Sequence, residues 1–147
     1  MLITMRPVCS ENIYECARLS ITEEQHNESQ IPEMVELLEK LSGLQDVEQQ
    51  TFYAGETMVG YAAYEHEVGT TEYAVLYFLI DERWQRSGYG TGAFQQLLDK
   101  LKANADCTMI KIRYMDFNEA ARALYVKFGF VETAESDGYV DAILLCQ

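Results

Sequence analysis

The sequence predicts one α+β domain, and three observations support that fold class. Its 147 residues fit a single compact domain, since domains typically run to about 100–150 residues. From residue 51 onward, runs rich in Tyr, Val and Phe alternate with apolar stripes at helical spacing. No repeat, low-complexity tract or linker interrupts this order. We therefore expect a single domain over 1–147.

The first fifty residues predict one strand and two helices. Residues 1–7 alternate in the way expected of a short first strand. Ser10 is a plausible N-cap for a helix that reaches Ile21. After a polar stretch, Pro32 stands in the first turn of a second helix, which Gly43 ends. The apolar stripe of that helix consists of Met34, Val35, Leu37, Leu38 and Leu41.

The remainder of the chain predicts six more strands and two more helices. Strands over 51–54 and 58–67 flank a turn at 55–57, and 71–80 is a near-continuous apolar strand of the kind covered on both faces. These three strands should form the centre of the sheet. The other elements are a helix over 88–102, a strand over 109–114, a helix over 118–128 stopped by Gly129, and a hairpin of strands 130–133 and 139–145.

The charge balance disfavours nucleic acid and membrane partners. Eleven Lys and Arg against 24 Asp and Glu give a net charge of −13, which repels phosphate backbones and anionic lipid. Cationic small molecules are favoured, although such a charge also keeps a protein soluble. No signal sequence is evident at the N-terminus, and no apolar run approaches the roughly 18 residues of a membrane helix. We expect a cytoplasmic protein.

The cysteines and histidines do not form a metal-binding pattern. Cys9, Cys16, Cys107 and Cys146 lack C-x-x-C spacing, and the two histidines lie far from them in sequence. We therefore expect no metal and no disulfide framework. The thiols are interpreted as small core residues of a reduced protein.

The segment 79–92, LIDERWQRSGYGTG, is the candidate site of chemistry. It predicts a buried strand, a glycine-rich turn and a helix start, where free N–H groups and the helix dipole attract an anion. Gly88 and Gly90 let the backbone approach a phosphate closely, and Arg86 adds positive charge. The alternative is that the glycines only make a tight turn. The spacing fits neither G-x-G-x-x-G nor G-x-x-x-x-G-K-[ST], so a dinucleotide or nucleoside triphosphate is not supported.

Two stretches of the chain carry recognisable motifs. Residues 85–90, QRSGYG, fit the pattern Q/R-x-x-G-x-G/A, and residues 118–130 fit N-x-x-A-x-x-x-Y-x-K-x-G-F. These motifs resemble the pyrophosphate loop and the second signature of the GNAT superfamily of acetyl-CoA-dependent N-acetyltransferases. The resemblance implies a mixed, mostly antiparallel twisted sheet of six to seven strands, about four helices, and a V-shaped splay between the fourth and fifth strands. Strings at 5–7, 22–25 and 78–82 are most similar to the bacterial spermine/spermidine acetyltransferase branch.

The resemblance implies that acetyl-CoA binds in the splay as a co-substrate. Backbone groups at Leu79 and Ile80 would pair with the pantetheine arm as an added strand would. Asn118 would contact the coenzyme near that arm, and it could also serve as the N-cap of its helix. The loop that binds the pyrophosphate would consist of Gln85, Arg86, Ser87, Gly88, Tyr89, Gly90 and Thr91.

Tyr125 occupies the general-acid position of the family. Acetyl transfer needs a neutral amine as nucleophile and a proton for the departing thiolate, whose thiol has a pKa of about 8.5. A tyrosine hydroxyl with a pKa of about 10 can supply that proton. The alternative is a core aromatic residue beside Ala121 and Phe128. Given both motifs, we favour the catalytic role.

The general base is not identified. Several family members, polyamine acetylators among them, carry an acidic residue on the central strand where this chain has Leu76, which cannot abstract a proton. Either a water chain that leads from an acidic residue abstracts the proton, or the acceptor differs from that of the polyamine acetylators. Carboxylates over the cleft mouth would attract a polyamine, although any one could be solvated surface charge. The candidates are Glu23, Glu24, Glu65, Glu67 and Glu72.

We therefore predict an N-acetyltransferase that moves the acetyl group of acetyl-CoA to a primary amine of a small cationic acceptor, such as spermidine or spermine, within a ternary complex. One alternative acceptor is an amino acid, an antibiotic or a protein amine. Another alternative is a non-catalytic module that binds CoA, against which Tyr125 and the glycine loop argue. A homodimer is expected from the resemblance and from the apolar strand 139–145, taken as a sheet edge.

Overall fold

A seven-stranded mixed sheet organises the chain. The computed structural model describes residues 2–20 and 33–146. The strands are β1 (Ile3–Pro7), β2 (Val47–Ala54), β3 (Thr57–His66), β4 (Glu72–Ile80), β5 (Met109–Met115), β6 (Val131–Ser136) and β7 (Tyr139–Leu145). They lie in the order β1-β2-β3-β4-β5-β7-β6, and all neighbours are antiparallel except β4 and β5. The predicted mixed, mostly antiparallel sheet is confirmed.

Helices cover both faces of the sheet. Within the described ranges they are α1 (Ile13–Cys16), α2 (Met34–Leu41), α3 (Tyr89–Lys102) and α4 (Glu119–Lys127), with a 3-10 turn at Glu82–Trp84. Alternate side chains of β3 serve two cores, because successive residues of a strand point to opposite faces. Ala62 and Tyr64 pack with α3 and α4, whereas Tyr61 and Ala63 pack with α1 and α2.

The predicted central strands are interior, but they are not all central. β4 occupies the middle position, with β3 on one side and β5 on the other. β2 begins at Val47, four residues before the predicted start, because the polar run 48–50 carries no strand signal. β4 is not covered on both faces throughout, since Leu76 is 38% exposed.

The first helix differs from the prediction. α1 has only four residues, and its N-cap is Asn12 rather than Ser10. The Asn12 side chain turns back toward β1: its Oδ1 accepts from the Cys9 N–H at 2.9 Å and its Nδ2 donates to the Pro7 carbonyl at 3.1 Å. The chain therefore enters α1 two residues later than predicted. The predicted helix end at Ile21, the polar stretch and Pro32 lie outside the described residues.

The predicted stripe of the second helix is confirmed except at Val35. The other four members are buried, but Val35 is 53% exposed. With about 100° per residue, Met34 and Leu41 lie on one side of α2 and Val35 lies about 100° away from Met34. Gly43, with φ +86°, follows the helix end as predicted.

The C-terminal hairpin forms as predicted, but the predicted sheet edge is wrong. β7 lies between β5 and β6, so both of its edges are paired. β6 is the outermost strand on that side. Asp137 and Gly138 connect the two strands with φ +54° and +84°, the backbone that two-residue hairpin turns require.

The thiols are only partly core residues. Cys16 and Cys107 are buried, and burial raises the pKa of each to about 12. Cys9 is exposed and Cys146 is half-buried, so the core interpretation fails for Cys9. Over the described part of the chain, no His, Cys, Asp and Glu side chains group as a metal site would require. None of the helices in that part is both long and apolar enough to cross a membrane.

Candidate functional site

β4 and β5 separate partway along their length. They are paired only between residues 72–75 and 109–112. Beyond that point β4 stays paired with β3 as far as Ile80, and β5 stays paired with β7 as far as Met115. Among the described residues, no strand lies between the facing backbone edges of 76–80 and 113–115. This is the predicted V-shaped opening between the fourth and fifth strands.

A β-bulge marks the point where the opening begins. Tyr64 faces Val75 and Ala63 faces Tyr77, so Leu76 is an extra residue of β4 between two successive positions of β3. Bulges bend a strand and redirect a side chain. Leu76 is 38% exposed, whereas Val75 is 5% exposed. The sequence gives no sign of this bulge, because the run 73–80 is apolar throughout and carries no break in pattern.

The predicted glycine turn lies directly after β4. Gly88, with φ +83°, is the N-cap of α3, and no side chain caps that helix. The first backbone N–H groups of a helix have no intrahelical acceptor, and the helix dipole makes this end positive. No acidic side chain stands in the first turn of the 14-residue helix. This end of α3 can therefore hold an anion.

Two of the three glycines in this region have a structural reason to be glycine. Gly88 adopts a left-handed backbone, which favours glycine. A Cβ on Gly92 would lie 3.0 Å from Ile3 Cγ1, so this glycine allows close packing against β1. A Cβ on Gly90 would meet only Ile80 Cγ1 at 3.8 Å, which is an ordinary contact. The tight-turn alternative thus explains Gly88 and Gly92 but leaves Gly90 unexplained.

The remaining side chains of the turn are exposed or half-buried. Gln85 Nε2 donates to the Ile80 carbonyl at 2.9 Å, which ties the turn to the end of β4. Arg86 is exposed and has a positive φ of 63°. Ser87 is also exposed, and Tyr89 and Thr91 are half-buried. Of the backbone groups at Leu79 and Ile80, the Ile80 carbonyl thus already accepts one hydrogen bond.

Tyr125 lies within the core between α4 and the sheet. Its side chain is 8% exposed, and the rings of Phe94, Tyr114 and Phe130 lie 5.2, 5.4 and 6.0 Å from its own. Burial raises the pKa of the Tyr125 hydroxyl well above its usual value, and nearby Tyr114 adds to the effect. The hydroxyl therefore keeps its proton at neutral pH. The same contacts suit a core aromatic residue and a proton donor.

A hydrogen-bonded group next to Tyr125 was not found from the sequence. The Tyr114 hydroxyl and the Arg122 Nε both donate to Glu132 Oε1, each at 2.7 Å. These two donors lower the pKa of Glu132, while burial and the bond to Glu132 raise the pKa of Tyr114. The three residues come from β5, α4 and β6. The alternation of β5 could have indicated an inward Tyr114, but its partners depend on the strand order.

Asn118 follows the end of β5. Its Oδ1 accepts from the Ala121 N–H at 3.1 Å, which confirms that it is the N-cap of α4. β4 and β5 are parallel, so their C-terminal ends lie at the same edge of the sheet. Asn118 and the glycine turn are therefore both at the open end of the splay.

The predicted acceptor carboxylates lie toward the other end of β4. Glu72 begins β4 at the paired end, and the four residues to Leu76 correspond to about 13 Å of strand. Lys111 Nζ lies 3.2 Å from a Glu72 oxygen and 3.6 Å from a Glu67 oxygen. Glu65 is half-buried near the end of β3. Glu23 and Glu24 lie outside the described residues.

The sequence profile of the GNAT acetyltransferase family matches residues 13–130. The chain therefore belongs to the GNAT family of acetyltransferases. It is an acetyl-CoA-dependent N-acetyltransferase. A search of curated protein sequences finds no significant match.

Solved structures of similar fold include three enzymes with different acceptors. The spermidine N-acetyltransferase of Vibrio cholerae, bound to CoA and spermine, has a TM-score of 0.78 and 16% identity, over 97% of this chain and 95% of that one. Aminoglycoside acetyltransferase AAC(6')-Ib, bound to coenzyme A, has a TM-score of 0.80 and 15% identity, over 97% of this chain and 94% of that one. The ribosomal-protein-S18-alanine N-acetyltransferase of Escherichia coli has a TM-score of 0.77 and 17% identity, over 99% of this chain and 94% of that one. These identities show a shared fold.

Proposed function

We propose that this enzyme acetylates a primary amine of a small cationic acceptor, a polyamine such as spermidine or spermine. The separation of β4 and β5 at the Leu76 bulge carries the acetyl-CoA part of this proposal, because it offers one strand edge to a coenzyme beside a helix N-terminus. The net charge of −13 favours a cationic acceptor over an anionic one. The similarity of short strings to the spermine/spermidine branch supports the same acceptor.

Acetyl-CoA binds along the open edge of β4 in this proposal. The pantetheine arm pairs with backbone groups near Leu79 and Ile80, and Asn118 contacts it from the β5 side. The pyrophosphate lies on the turn and the first N–H groups of α3. Two observations support this placement: Gly90 has no packing reason to be glycine, and Arg86 supplies an exposed positive charge. The pyrophosphate residues are Gln85, Arg86, Ser87, Gly88, Tyr89, Gly90 and Thr91.

Tyr125 acts as the general acid. The neutral amine nitrogen attacks the thioester carbonyl, the C–S bond breaks, and the CoA sulfur leaves with the bonding electrons. Tyr125 donates its hydroxyl proton to that sulfur. The new amide nitrogen loses one proton to solvent, and the Tyr125 oxygen regains one proton from solvent, so the protons balance. Because its pKa is raised, the Tyr125 hydroxyl is protonated at neutral pH and can donate to the sulfur as negative charge develops there. The incoming ammonium group loses its first proton to solvent in this scheme, since Leu76 is no base.

A second acceptor class is favoured by one observation. Lys111 already pairs with Glu67 and Glu72, so two of the candidate carboxylates are partly neutralised. An acceptor with fewer positive charges, such as an amino acid, an aminoglycoside or a protein amine, needs fewer free carboxylates than a polyamine. Glu24 and Glu65 remain proposed acceptor ligands.

Thiol release from acetyl-CoA at neutral pH tests the function. The parallel acceptors are spermidine, spermine, free lysine, an aminoglycoside and a lysine peptide. Fast release with the polyamines alone supports the proposal. Release only with another acceptor moves the function to that class, and no release with any acceptor contradicts the polyamine proposal.

We also propose that the enzyme is a cytoplasmic homodimer. β6 is an outermost strand whose six residues are all exposed, and an exposed strand edge can pair with a second copy. Light scattering at micromolar concentration should give twice the mass of one chain. A monomer at that concentration would contradict the proposal.

A further inference from the structure

Asp81, at the end of β4, carries a fully buried carboxylate. Its side chain is 0% exposed. Its Oδ1 accepts from the Arg83 backbone N–H and from Arg83 Nε, both at 2.9 Å. Its Oδ2 accepts from the Ser20 N–H at 3.0 Å and from Arg83 Nη2 at 3.4 Å. Burial alone would raise the pKa of Asp81, but these hydrogen bonds outweigh it and hold the pKa below its usual range.

The two carboxylate oxygens hold different parts of the chain. The bond from the Arg83 N–H to Oδ1 begins the 3-10 turn that leads into the glycine turn. The bond from the Ser20 N–H to Oδ2 joins residues 61 positions apart in sequence. The Ser20 carbonyl in turn accepts from the Glu82 N–H at 2.7 Å. A reciprocal pair of hydrogen bonds thus fastens the chain after α1 to the start of the coenzyme turn.

This junction connects opposite faces of the sheet. Cys16 and Leu19, on the α1 side of Ser20, pack in the core beneath α2. The turn that begins at Asp81 continues into α3, whose residues pack in the other core. The Asp81 N–H also donates to the Val59 carbonyl at 2.8 Å, which fixes the junction on the neighbouring strand. A shift of the turn therefore moves the acceptor of the Ser20 N–H.

We propose that Asp81 is a positioning residue that transmits coenzyme binding from the glycine turn to residues 13–20 on the opposite face. The inference rests on the proposed coenzyme site. Linkage makes this effect reciprocal: a second ligand that orders 13–20 strengthens coenzyme binding, and the coenzyme strengthens the binding of that second ligand by the same factor. The junction thus couples the coenzyme turn and residues 13–20 in both directions.

Three variants separate this role from simple stabilisation. Asp81→Asn keeps the shape but puts an NH2 group where only donors approach, so it breaks the bond to Ser20 or the bond to Arg83. Ser20→Ala is the matched control, because the two contacts that join Ser20 to Asp81 and Glu82 are made by its backbone N–H and C=O. Arg83→Ala removes a guanidinium that is 66% exposed but leaves both backbone donors on Asp81.

Hydrogen exchange of the full chain with and without CoA measures the transmission. In the wild type, CoA should slow amide exchange both in the glycine turn and in 13–20. Asp81→Asn at saturating CoA should keep the protection of the turn and lose that of 13–20. Its KM for acetyl-CoA should rise roughly tenfold while kcat changes by less than about threefold. Ser20→Ala and Arg83→Ala should keep the protection of 13–20.

Either of two results would overturn the inference: wild-type 13–20 that CoA does not protect, or an Asp81→Asn variant that transmits protection like the wild type. CoA binding itself is followed by calorimetry. If CoA does not bind at all, the proposed function fails and the inference fails with it. If Asp81→Asn does not fold, Ser20→Pro replaces it, because proline removes the same hydrogen bond from the Ser20 side.

Discussion

Replacing Tyr125 by Phe removes one oxygen from a buried ring, and the structure predicts what this does to stability. The Tyr125 hydroxyl makes no hydrogen bond to a described residue, whereas the ring contacts three aromatic neighbours that Phe keeps. The free energy of unfolding should therefore change by less than about 1 kcal/mol. Turnover should fall about 100-fold or more, since a general acid contributes that much to the rate. A 100-fold loss corresponds to about 2.7 kcal/mol in the activation barrier.

Tyr114→Phe is the matched control. The two hydroxyls belong to rings 5.4 Å apart, but only that of Tyr114 donates to Glu132, at 2.7 Å. Tyr114→Phe should lower stability by about 1 kcal/mol through the lost bond and leave turnover within about threefold. Urea denaturation gives the stabilities, and thiol release at saturating acetyl-CoA gives kcat. Tyr125→Phe should thus lose turnover and keep its stability, whereas Tyr114→Phe should lose stability and keep its turnover.

The pH dependence provides an independent check of the same role. Because burial raises the pKa of Tyr125, its hydroxyl stays protonated up to at least about pH 10. The acceptor ammonium, with a pKa of about 10.4, becomes a better nucleophile as pH rises. The value of kcat/KM should therefore increase from pH 7 to 9.5 with no descending limb. Full turnover by Tyr125→Phe, or a loss shared equally by Tyr114→Phe, would refute the assignment.

Three further outcomes follow from the structure. Arg86→Gly should keep or raise stability, because glycine favours the positive φ of this position. It should also raise KM for acetyl-CoA roughly tenfold, because it removes a positive charge, whereas Arg86→Lys should stay near wild type. Gly92→Ala should lower the thermal midpoint through its 3.0 Å contact, and Gly90→Ala should not; equal midpoints would refute the packing argument. Stability should fall as pH drops below about 4, and a flat urea midpoint from pH 5 to 3 would contradict this. The carboxyls whose pKa is lowered are Asp81, Glu132 and Asp141.

Sequence patterns predicted the elements whose ends are set by local chemistry. α3 begins at Tyr89, one residue after the predicted start, because a left-handed glycine marks the N-cap. α4 lies between an Asn N-cap and Gly129, which has φ +96°. The place of β7 could not be predicted in the same way, because it depends on which strands pair. An apolar strand at the end of a chain can lie at an edge or between two others.

The same distinction between local sequence and strand pairing applies to the residues of the candidate site. The glycine turn and Tyr125 lie in contiguous motifs, so the sequence pointed to them directly. The cation beside Glu72 could not be predicted, because Lys111 reaches it only through the parallel register of β4 and β5. The bulge at Leu76 also depends on a neighbouring strand, since it exists only relative to β3. Residues that act through a neighbour in space leave no signal in a single sequence.

The net charge of the enzyme acts in opposite directions on its two proposed substrates. A charge of −13 repels anionic acetyl-CoA and attracts a cationic amine. The backbone N–H groups of α3 and Arg86 act over a few ångströms, whereas the field of the whole molecule extends about a Debye length, roughly 10 Å at 0.1 M salt. Added salt should therefore raise KM for a polyamine while changing KM for acetyl-CoA little or lowering it. An equal rise in both KM values would mean that local ion pairs, and not the overall field, determine how each substrate binds.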